Sequence, residues 1–545
     1  MKINLTSAMV AGLIAAALLL PSSARAESAT VTAAPAQSTA LEAMDGGIQL
    51  EKQREWGEAI RHYESALREH IDNPDLQQRL LICRLHFDVK RRYQDNSYLQ
   101  AVRETSTQQA LELYEEVLAN LETHYVGSAD WKRLVTNGTA SLEVALTEPT
   151  FVDRLLANAS PEQIETFRQN VHRHSLTRPA TNRHDLRSTV AYVAGLARQD
   201  LGLAGSATVF EFVCGSIGTL DPYSRFLTPN QLEETFSNIE GNFVGLGIEL
   251  KAEEKQLLIV NVIEGGPADS AGIQAGDRIT RVEDSYTQSA DPDFVADLLR
   301  GPENTFVSVT VETPGQEPRD VDVQRRRVEV PSVEDVRIVD EEHGIGYMRL
   351  TNFQKTTSRD FEAKLWDLHR QGMRQLIVDV RGNPGGLLTA AVEVADRFVS
   401  AGDIVRTRGR NARENYDYKS HRPNTWSVPL TVLIDGDSAS ASEIFAGAIA
   451  DHDRGELVGE RTYGKGSVQG IFRMQAARVG LCLTTAKFYS PNGTAISGHG
   501  VVPTVVQQKT YMAARPAADG HITTLAEDAV LQRAIQLGRD RAAQQ

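Results

Sequence analysis

The stretch QLIVDVRGNPGG (375–386) decides the fold. Leu376, Ile377, Val378 and Val380 follow one another almost without interruption, the pattern of a strand covered on both faces in a parallel sheet. A glycine-rich turn comes next, and Leu387 to Phe398 reads as a helix. The same alternation continues in both directions. Gly344 to Leu350 reads as a strand and Ser358 to Gln371 as a helix; Leu430 to Ile434 is a second buried strand and Ala441 to Ile449 a second helix. Strand and helix in strict alternation predict a βαβ-type sheet with helices on its faces, spanning 328–510.

Upstream the pattern changes twice. Residues 237–327 carry short alternating strands with glycine turns, Gly241 to Leu250, Leu257 to Val262, Arg278 to Val282 and Thr305 to Glu312, with short helices at Pro267 to Ala271 and Phe294 to Leu299. That predicts a compact, partly open barrel. Residues 41–236 read as helical. Within 41–127, Gly47, Leu50, Ala59, Tyr63 and Ala66 sit where a tetratricopeptide helix pair places its packing residues, with Pro74 closing the unit; a generic amphipathic bundle is the other reading. Residues 128–236 continue as helix toward the turn LDPYSRFLTP (220–229). At the C-terminus, 511–545 reads as a polar helical tail.

The N-terminus has the layout of a secretory signal peptide, 1–26. Lys2 precedes an uncharged run from Ala8 to Leu20, Pro21 breaks it, and Ala24-Arg25-Ala26 offers small residues for cleavage. Residues 27–40 form an Ala/Ser/Thr/Pro-rich flexible leader. The expected location is periplasmic or secreted, or membrane-associated if the signal stays uncleaved.

Composition narrows the chemistry. The 545 residues hold 41% hydrophobic and 24% charged side chains, which excludes wholesale disorder. Lys plus Arg is 57 against 72 for Asp plus Glu, a net charge of −15, so nucleic acid is not an expected partner. Cys83, Cys214 and Cys482 lie too far apart for a disulfide framework or a C-x-x-C metal site. There is no H-E-x-x-H, and His172-Arg173-His174 is an isolated pair. Gly459, Gly464 and Lys465 approach a phosphate-binding loop, but Gly466 stands where that loop needs Ser or Thr. No metal and no cofactor are expected.

Reactive groups in open α/β sheets gather beyond the carboxyl ends of strands. Two such turns occur, DVRGNPGG (379–386) and DGDSASASE (435–443), each running into a helix whose first N–H groups are unpaired. Two neighbouring turns of this kind can hold an oxyanion. The second offers Ser438, Ser440 and Ser442, and residue chemistry does not choose among them. No histidine suggests a base. Lys465, flanked by Gly464 and Gly466 between strands, can replace one if burial keeps its amine neutral.

Taken in order, LDPYSRFLTP (220–229), GNFVGLGIEL (241–250), GGPADSAGIQAGDRI (265–279), LLRGPENT (298–305), GIGYMRLTNF (344–353), LIVDVRGNPGG (376–386), SASASEIFAGAI (438–449), VGERTYGKGSVQ (458–469) and KFYSPNGTAISGHGVVP (487–503) resemble the carboxyl-terminal processing proteases. These are serine endopeptidases of the tail-specific type, the first subfamily of peptidase family S41, with an inserted PDZ domain. The resemblance covers about Thr219 to Val506. It implies a multidomain α/β fold: a β-rich PDZ domain before a ClpP/crotonase-like protease core, behind an α-helical, tetratricopeptide-like N-terminal region.

Carried over, the resemblance places the nucleophile on Ser440, the general base on Lys465 and an assisting glutamine on Gln469. The oxyanion donors fall on the N–H groups of Gly386 and Ala441. Glu443 matches an acid three residues after the nucleophile, as catalytic support or as a helix-favourable acid. The PDZ loop for a substrate C-terminus falls on Phe243, Val244, Gly245, Leu246, Gly247 and Ile248, with Leu246 and Ile248 lining a pocket for an apolar last residue. Implied partners are unfolded or C-terminally exposed proteins, with an adaptor or second subunit possible through the helical region. The competing reading is a non-catalytic PDZ/tetratricopeptide peptide-binding adaptor of the cell envelope, its protease core serving as scaffold.

Overall fold

The computed structural model describes residues 2–3, 40–177, 180–218, 220–253, 256–287, 298–421, 425–508 and 528–544. The expected signal peptide 1–26 apart from Lys2–Ile3, the leader up to residue 39, most of the expected helix Phe294 to Leu299, and the tail up to 527 lie outside the described residues.

Among the described residues, ten helices run from Ala40 to Ile217. In the first pair, Ala40–Lys52 and Trp56–Glu69, Gly47 faces the Tyr63 ring so closely that a Cβ there would lie 2.1 Å from Cζ. The small residue and the large one are therefore complementary, and Tyr63 is fully buried with Ala59 beside it. Pro74 does more than end this pair. It is the first residue of the long helix Pro74–Gln94, whose N-cap Asn73 accepts from the N–H groups of Asp75 and Leu76. A proline fits there because a helix's first N–H has no intrahelical partner. The N-terminal half of that helix packs on the first pair, and its C-terminal half, with Val89 and Tyr93, enters a larger core. At the centre of that core every residue of the helix Gly205–Ile217 is buried.

The barrel-like segment is a sheet in the order Ile248–Glu253, Gln256–Val262, Arg278–Val282, Phe306–Glu312, Arg319–Gln324, with Lys2–Ile3 paired parallel outside the first strand and Ser285–Tyr286 paired with Arg278–Val282. Its core alternates as half-buried strands do, with Val307, Val309 and Val311 inward. Two chain segments lead in and out of it, and they pair antiparallel as one ribbon, Asn242–Gly245 against Arg326–Glu329.

The α/β core holds two sheets. The first has the order Val333–Asp340, Ile345–Leu350, Gln375–Asp379, Leu430–Ile434, Gly455–Gly459, Val505–Val506, parallel from the second strand onward. Period-two alternation sends Met348, Val378 and Val432 toward the helices Thr357–Arg370, Leu388–Ala395 and Ala441–Asp451. It sends Tyr347, Ile377 and Leu433 to the other face. There the tail departs from expectation. Helix Ala529–Ala543 is not merely polar: Val530, Leu531, Ala534 and Ile535 are buried against the sheet, and Gln375 Nε2 donates to the Gly538 carbonyl. Its apolar stripe is short and interrupted by Arg and Gln, so composition masks it. The second sheet runs Tyr416–Lys419, Asp403–Gly409, Gly480–Tyr489, Ser467–Arg473, with Arg225–Leu227 added to the Gly480–Tyr489 strand.

Candidate active site

Both turns read from the sequence lie beyond neighbouring parallel strands, Gln375–Asp379 and Leu430–Ile434, and side chains lock them together. Asp379 accepts from Tyr347 Oη (2.8 Å) and from the Arg381 guanidinium, which also pairs with Asp528 at the start of the C-terminal helix. Asn383 Nδ2 donates to the Leu350 carbonyl, while its own backbone carbonyl accepts from Ala439 N–H (3.0 Å) and Ser442 Oγ–H (2.9 Å). Asp435 Oδ1 accepts from the N–H groups of Gly382, Asp437 and Ser438, each at 3.0 Å. Glycine is required at the contact. A Cβ on Gly385 (φ 108°) would lie 2.7 Å from Ala439 O and 2.9 Å from Ala441 N, and one on Gly386 (φ 138°) would lie 2.1 Å from Phe353 O.

The three serines now separate. Ser438 and Ser442 are fully buried, and their hydroxyls donate to the carbonyls of Val380 (2.8 Å) and Asn383 (2.9 Å). Ser440 is half-buried, and its hydroxyl proton has no acceptor among the described residues. It sits at the N-cap of Ala441–Asp451 with φ 55° and ψ −111°, a left-handed backbone that costs a non-glycine residue roughly 1–3 kcal/mol. Beside it, the N–H groups of Gly386 and Ala441 take no acceptor among the described residues.

Lys465 follows the strand Gly455–Gly459 and precedes Ser467–Arg473, and is only 7% exposed. Burial, assisted by nearby Arg225, pulls its amine down from 10.5 to about 8, while Cys482 and Glu443 act the other way. At pH 7 about a tenth of such amines are neutral, against well under a thousandth for an unshifted lysine. The amine has no hydrogen-bond or ion-pair partner among the described residues, and Ser440 Oγ is not bonded to it. Its neighbour is the ring of Tyr223, whose centroid is 5.1 Å from Nζ.

Glu443 is fully buried and joins the two segments. Its Oε2 accepts from Ser440 N–H and Lys465 N–H, both at 2.8 Å; its Oε1 accepts from Thr462 Oγ1–H (2.6 Å) and Gly464 N–H (2.7 Å). Burial pushes its carboxyl above the usual range, and these donors pull it back. Of the two readings the sequence left for Glu443, catalytic support or a helix-favourable acid, neither is decided by these bonds; they show a carboxylate that joins the Ser440 and Lys465 backbones. Gln469 is not on the lysine amine. A register irregularity between Val468 and Gln469 brings it to Ser467 Oγ (2.9 Å) and, at longer reach, to Thr484 Oγ1 (3.5 Å).

The six PDZ residues split. Phe243, Val244 and Gly245 belong to the paired linker ribbon, so their backbone is engaged there. Leu246 and Gly247 form the turn, with N–H groups that take no acceptor among the described residues, and Ile248 starts the first strand. Leu246 and Ile248 point into the domain core, 0% and 1% exposed, because alternation resumes there with them inward. Leu246 is a core residue, while Ile248, also buried, borders the cavity beside the domain. Sequence reasoning also passed over Asp221, Tyr223 and Thr484; the signal was the unusual segment LDPYSRFLTP, marked as a turn without a role. No group of three or more His, Cys, Asp or Glu side chains fit to hold a metal occurs among the described residues.

Family comparison matches this frame. The model of peptidase family S41 matches residues 344–507 and a PDZ domain model matches 258–313. A carboxy-terminal-processing protease of Bartonella bacilliformis is 36% identical over 301 residues, covering 54% of this chain and 68% of that protein. The chain belongs to peptidase family S41. This peptidase is also similar to a probable CtpA-like serine protease of Staphylococcus epidermidis, 31% identical over 287 residues, 52% of this chain and 57% of that protein. Among solved structures, a photosystem II D1 C-terminal processing protease aligns with 70% of this chain and 94% of its own at 26% identity and a TM-score of 0.38. The S41 chain is thus a serine-type peptidase, a hydrolase with protein substrates, carrying a PDZ domain.

Proposed function

We propose that the chain is a Ser/Lys endopeptidase that cleaves proteins near their C-termini, with Ser440 as nucleophile and Lys465 as general base. One observation carries the assignment: among the three serines only Ser440 has an uncommitted hydroxyl proton, and Glu443 fastens its backbone to that of the buried lysine. Neutral Lys465 takes the Oγ proton as Oγ bonds to the peptide carbonyl carbon. The carbonyl oxygen becomes an oxyanion between the N–H groups of Gly386 and Ala441. The ammonium then protonates the amine as the C–N bond breaks. Water, deprotonated by the same lysine, releases the acyl group and restores Ser440. Closure on substrate brings hydroxyl and amine into hydrogen-bond reach, since catalytic contacts often tighten only in the complex.

On this reading the PDZ domain selects the substrate by its terminal carboxylate, held by the free N–H groups of Leu246 and Gly247, with the peptide added as a strand along Ile248–Glu253. The composition of 1–26 supports a periplasmic or secreted location. A contact with an adaptor or second subunit falls to the helical region, where Leu41 and Ile71 are 76% and 69% exposed.

The test is cleavage of an unfolded protein by wild type, Ser440→Ala and Lys465→Arg, with products mapped by mass spectrometry. Both variants keep the fold and lose all cleavage, because arginine retains charge but cannot become neutral. Turnover by Ser440→Ala removes the nucleophile assignment, and turnover by Lys465→Arg removes the base.

A further inference from the structure

The turn Asp221–Arg225 lies some 240 residues before Lys465, yet one of its rings packs against the amine and its other contacts reach the neighbouring hairpin. The Tyr223 ring faces Lys465 Nζ at 5.1 Å. Asp221 Oδ1 accepts from Thr484 Oγ1–H (2.8 Å), Tyr223 N–H (2.9 Å) and Ser224 N–H (3.0 Å), while Ser224 Oγ accepts from Thr484 N–H (3.1 Å). Thr484 in turn accepts from Gln469. Strand Arg225–Leu227 then pairs with Gly480–Cys482, so the turn is tied to the hairpin that follows Lys465.

We propose that Tyr223 is a positioning residue for Lys465, its ring walling off and steadying the amine, and that Asp221 and Thr484 anchor both this ring and the strand carrying Gln469. The proposal rests on the reading of Lys465 as base. The charged and titratable groups around the amine are Arg225 from the added strand, Cys482 from the hairpin and Glu443 from the nucleophile helix. Arg225 repels an ammonium, Cys482 is buried with its thiol pushed upward, and the Glu443 carboxylate already holds four donors. When the amine accepts the serine proton, the face of Tyr223 is what offers the new cation a partner. The ring itself is meant, since the Tyr223 hydroxyl has no hydrogen bond among the described residues and burial pushes it up to about 12, beyond use as an acid or base.

The test is the pH dependence of kcat and KM for wild type, Tyr223→Ala, Tyr223→Leu and Tyr223→Phe, with folding followed by circular dichroism. Tyr223→Ala admits water to the amine, so the acid limb moves up by about one pH unit and kcat at pH 7.5 falls about tenfold with KM within about twofold. Tyr223→Leu keeps a dry wall without the ring face, so the limb moves down. Tyr223→Phe restores the ring and returns the limb to its wild-type position. A purely structural role would lower the active fraction equally at every pH. Thr484→Val lowers kcat several-fold, about as loss of one positioning hydrogen bond should, and Thr484→Ser rescues it. Limbs of Tyr223→Ala and Tyr223→Leu that coincide with wild type, or a Tyr223→Phe limb displaced like that of Tyr223→Ala, overturn the proposal. Lys465→Arg separates the two failures: turnover there sinks the base assignment, whatever Tyr223 does.

Discussion

The helical region and the PDZ domain both precede the protease core in the chain, but they are attached to it in opposite ways. The PDZ domain closes its own core, from Leu246 to Val323, and joins the rest through one two-stranded ribbon. A cavity of about 650 Å³, lined by Ile248, Glu264, Pro331 and Arg359 among others, lies where it meets the protease core. The helical region has no such independence. Met474, Val479, Leu481 and Leu483 of the hairpin that follows Lys465 lie in the same core as Tyr98, Val117 and Phe210. Val126 N–H donates to the Thr484 carbonyl (2.9 Å), Arg410 donates to the carbonyls of Leu121, Glu122, Tyr125 and Gly127, and Glu116 accepts from Gln475 and Ala476 N–H. Position in the chain therefore does not identify the accessory part. The helices share one core with the hairpin that follows Lys465, and the PDZ domain is the separable module.

The sharpest way to break this contrast is deletion. Removing 41–217 exposes the hairpin's apolar face and should leave no soluble, folded peptidase. Replacing 246–325 by a short Gly/Ser linker should leave one cooperative thermal transition and cleavage of a generic unfolded substrate within about tenfold of wild type, since the PDZ domain adds selection rather than chemistry. A folded, active protein lacking 41–217 would reverse the contrast.

Paired core truncations come next. Leu481→Ala and Leu257→Ala should each cost about 2–5 kcal/mol locally. The first should lower the melting temperature of the peptidase and its activity together. The second should weaken only the PDZ transition and binding of a peptide with a free C-terminus. Equal loss of activity in both would show that the domains are not separable.

A smaller effect concerns pH. The amine of Lys465 is depressed to about 8, so its neutral fraction rises with pH and activity should climb to a plateau above that value, about tenfold higher than at pH 7. Because the groups that keep it dry come from the turn at 221–225 and the hairpin, the limb should stay in place when the PDZ domain is removed. Smallest is Glu116→Ala, which uncovers two N–H groups at the hairpin tip; calorimetry should register a loss of about 1 kcal/mol, and no change would make that contact ornamental.

Much of this was legible in residue order. Alternation of apolar strands with helices placed the sheet, and glycine-rich turns after two of its strands marked where backbone N–H groups collect. The lysine between glycines stood out because few physical reasons put a cation there. What the chain pattern could not rank were Ser438, Ser440 and Ser442, since identical residues at spacing two differ only in where their hydroxyls end up. It did not show that 243–245 pair with 326–328, because a glycine-rich run is equally suited to a carboxylate loop and to a linker strand. It also missed the docked face of Ala529–Ala543, whose stripe is hidden among Arg and Gln.

By itself the sequence determined the parts: strands, turns, a lone lysine and an acidic chain without metal-ligand spacing, all of which follow from local periodicity and side-chain chemistry. Only the tertiary structure decided that Ser440 alone keeps a free hydroxyl proton, that Glu443 ties it to Lys465, and that Tyr223 covers the amine. Those outcomes depend on burial and on partners that lie from a few to about 240 residues apart. The burial that pulls the Lys465 amine below its ordinary range exists only once the turn at 221–225, the hairpin and the helix Ala441–Asp451 have packed around it.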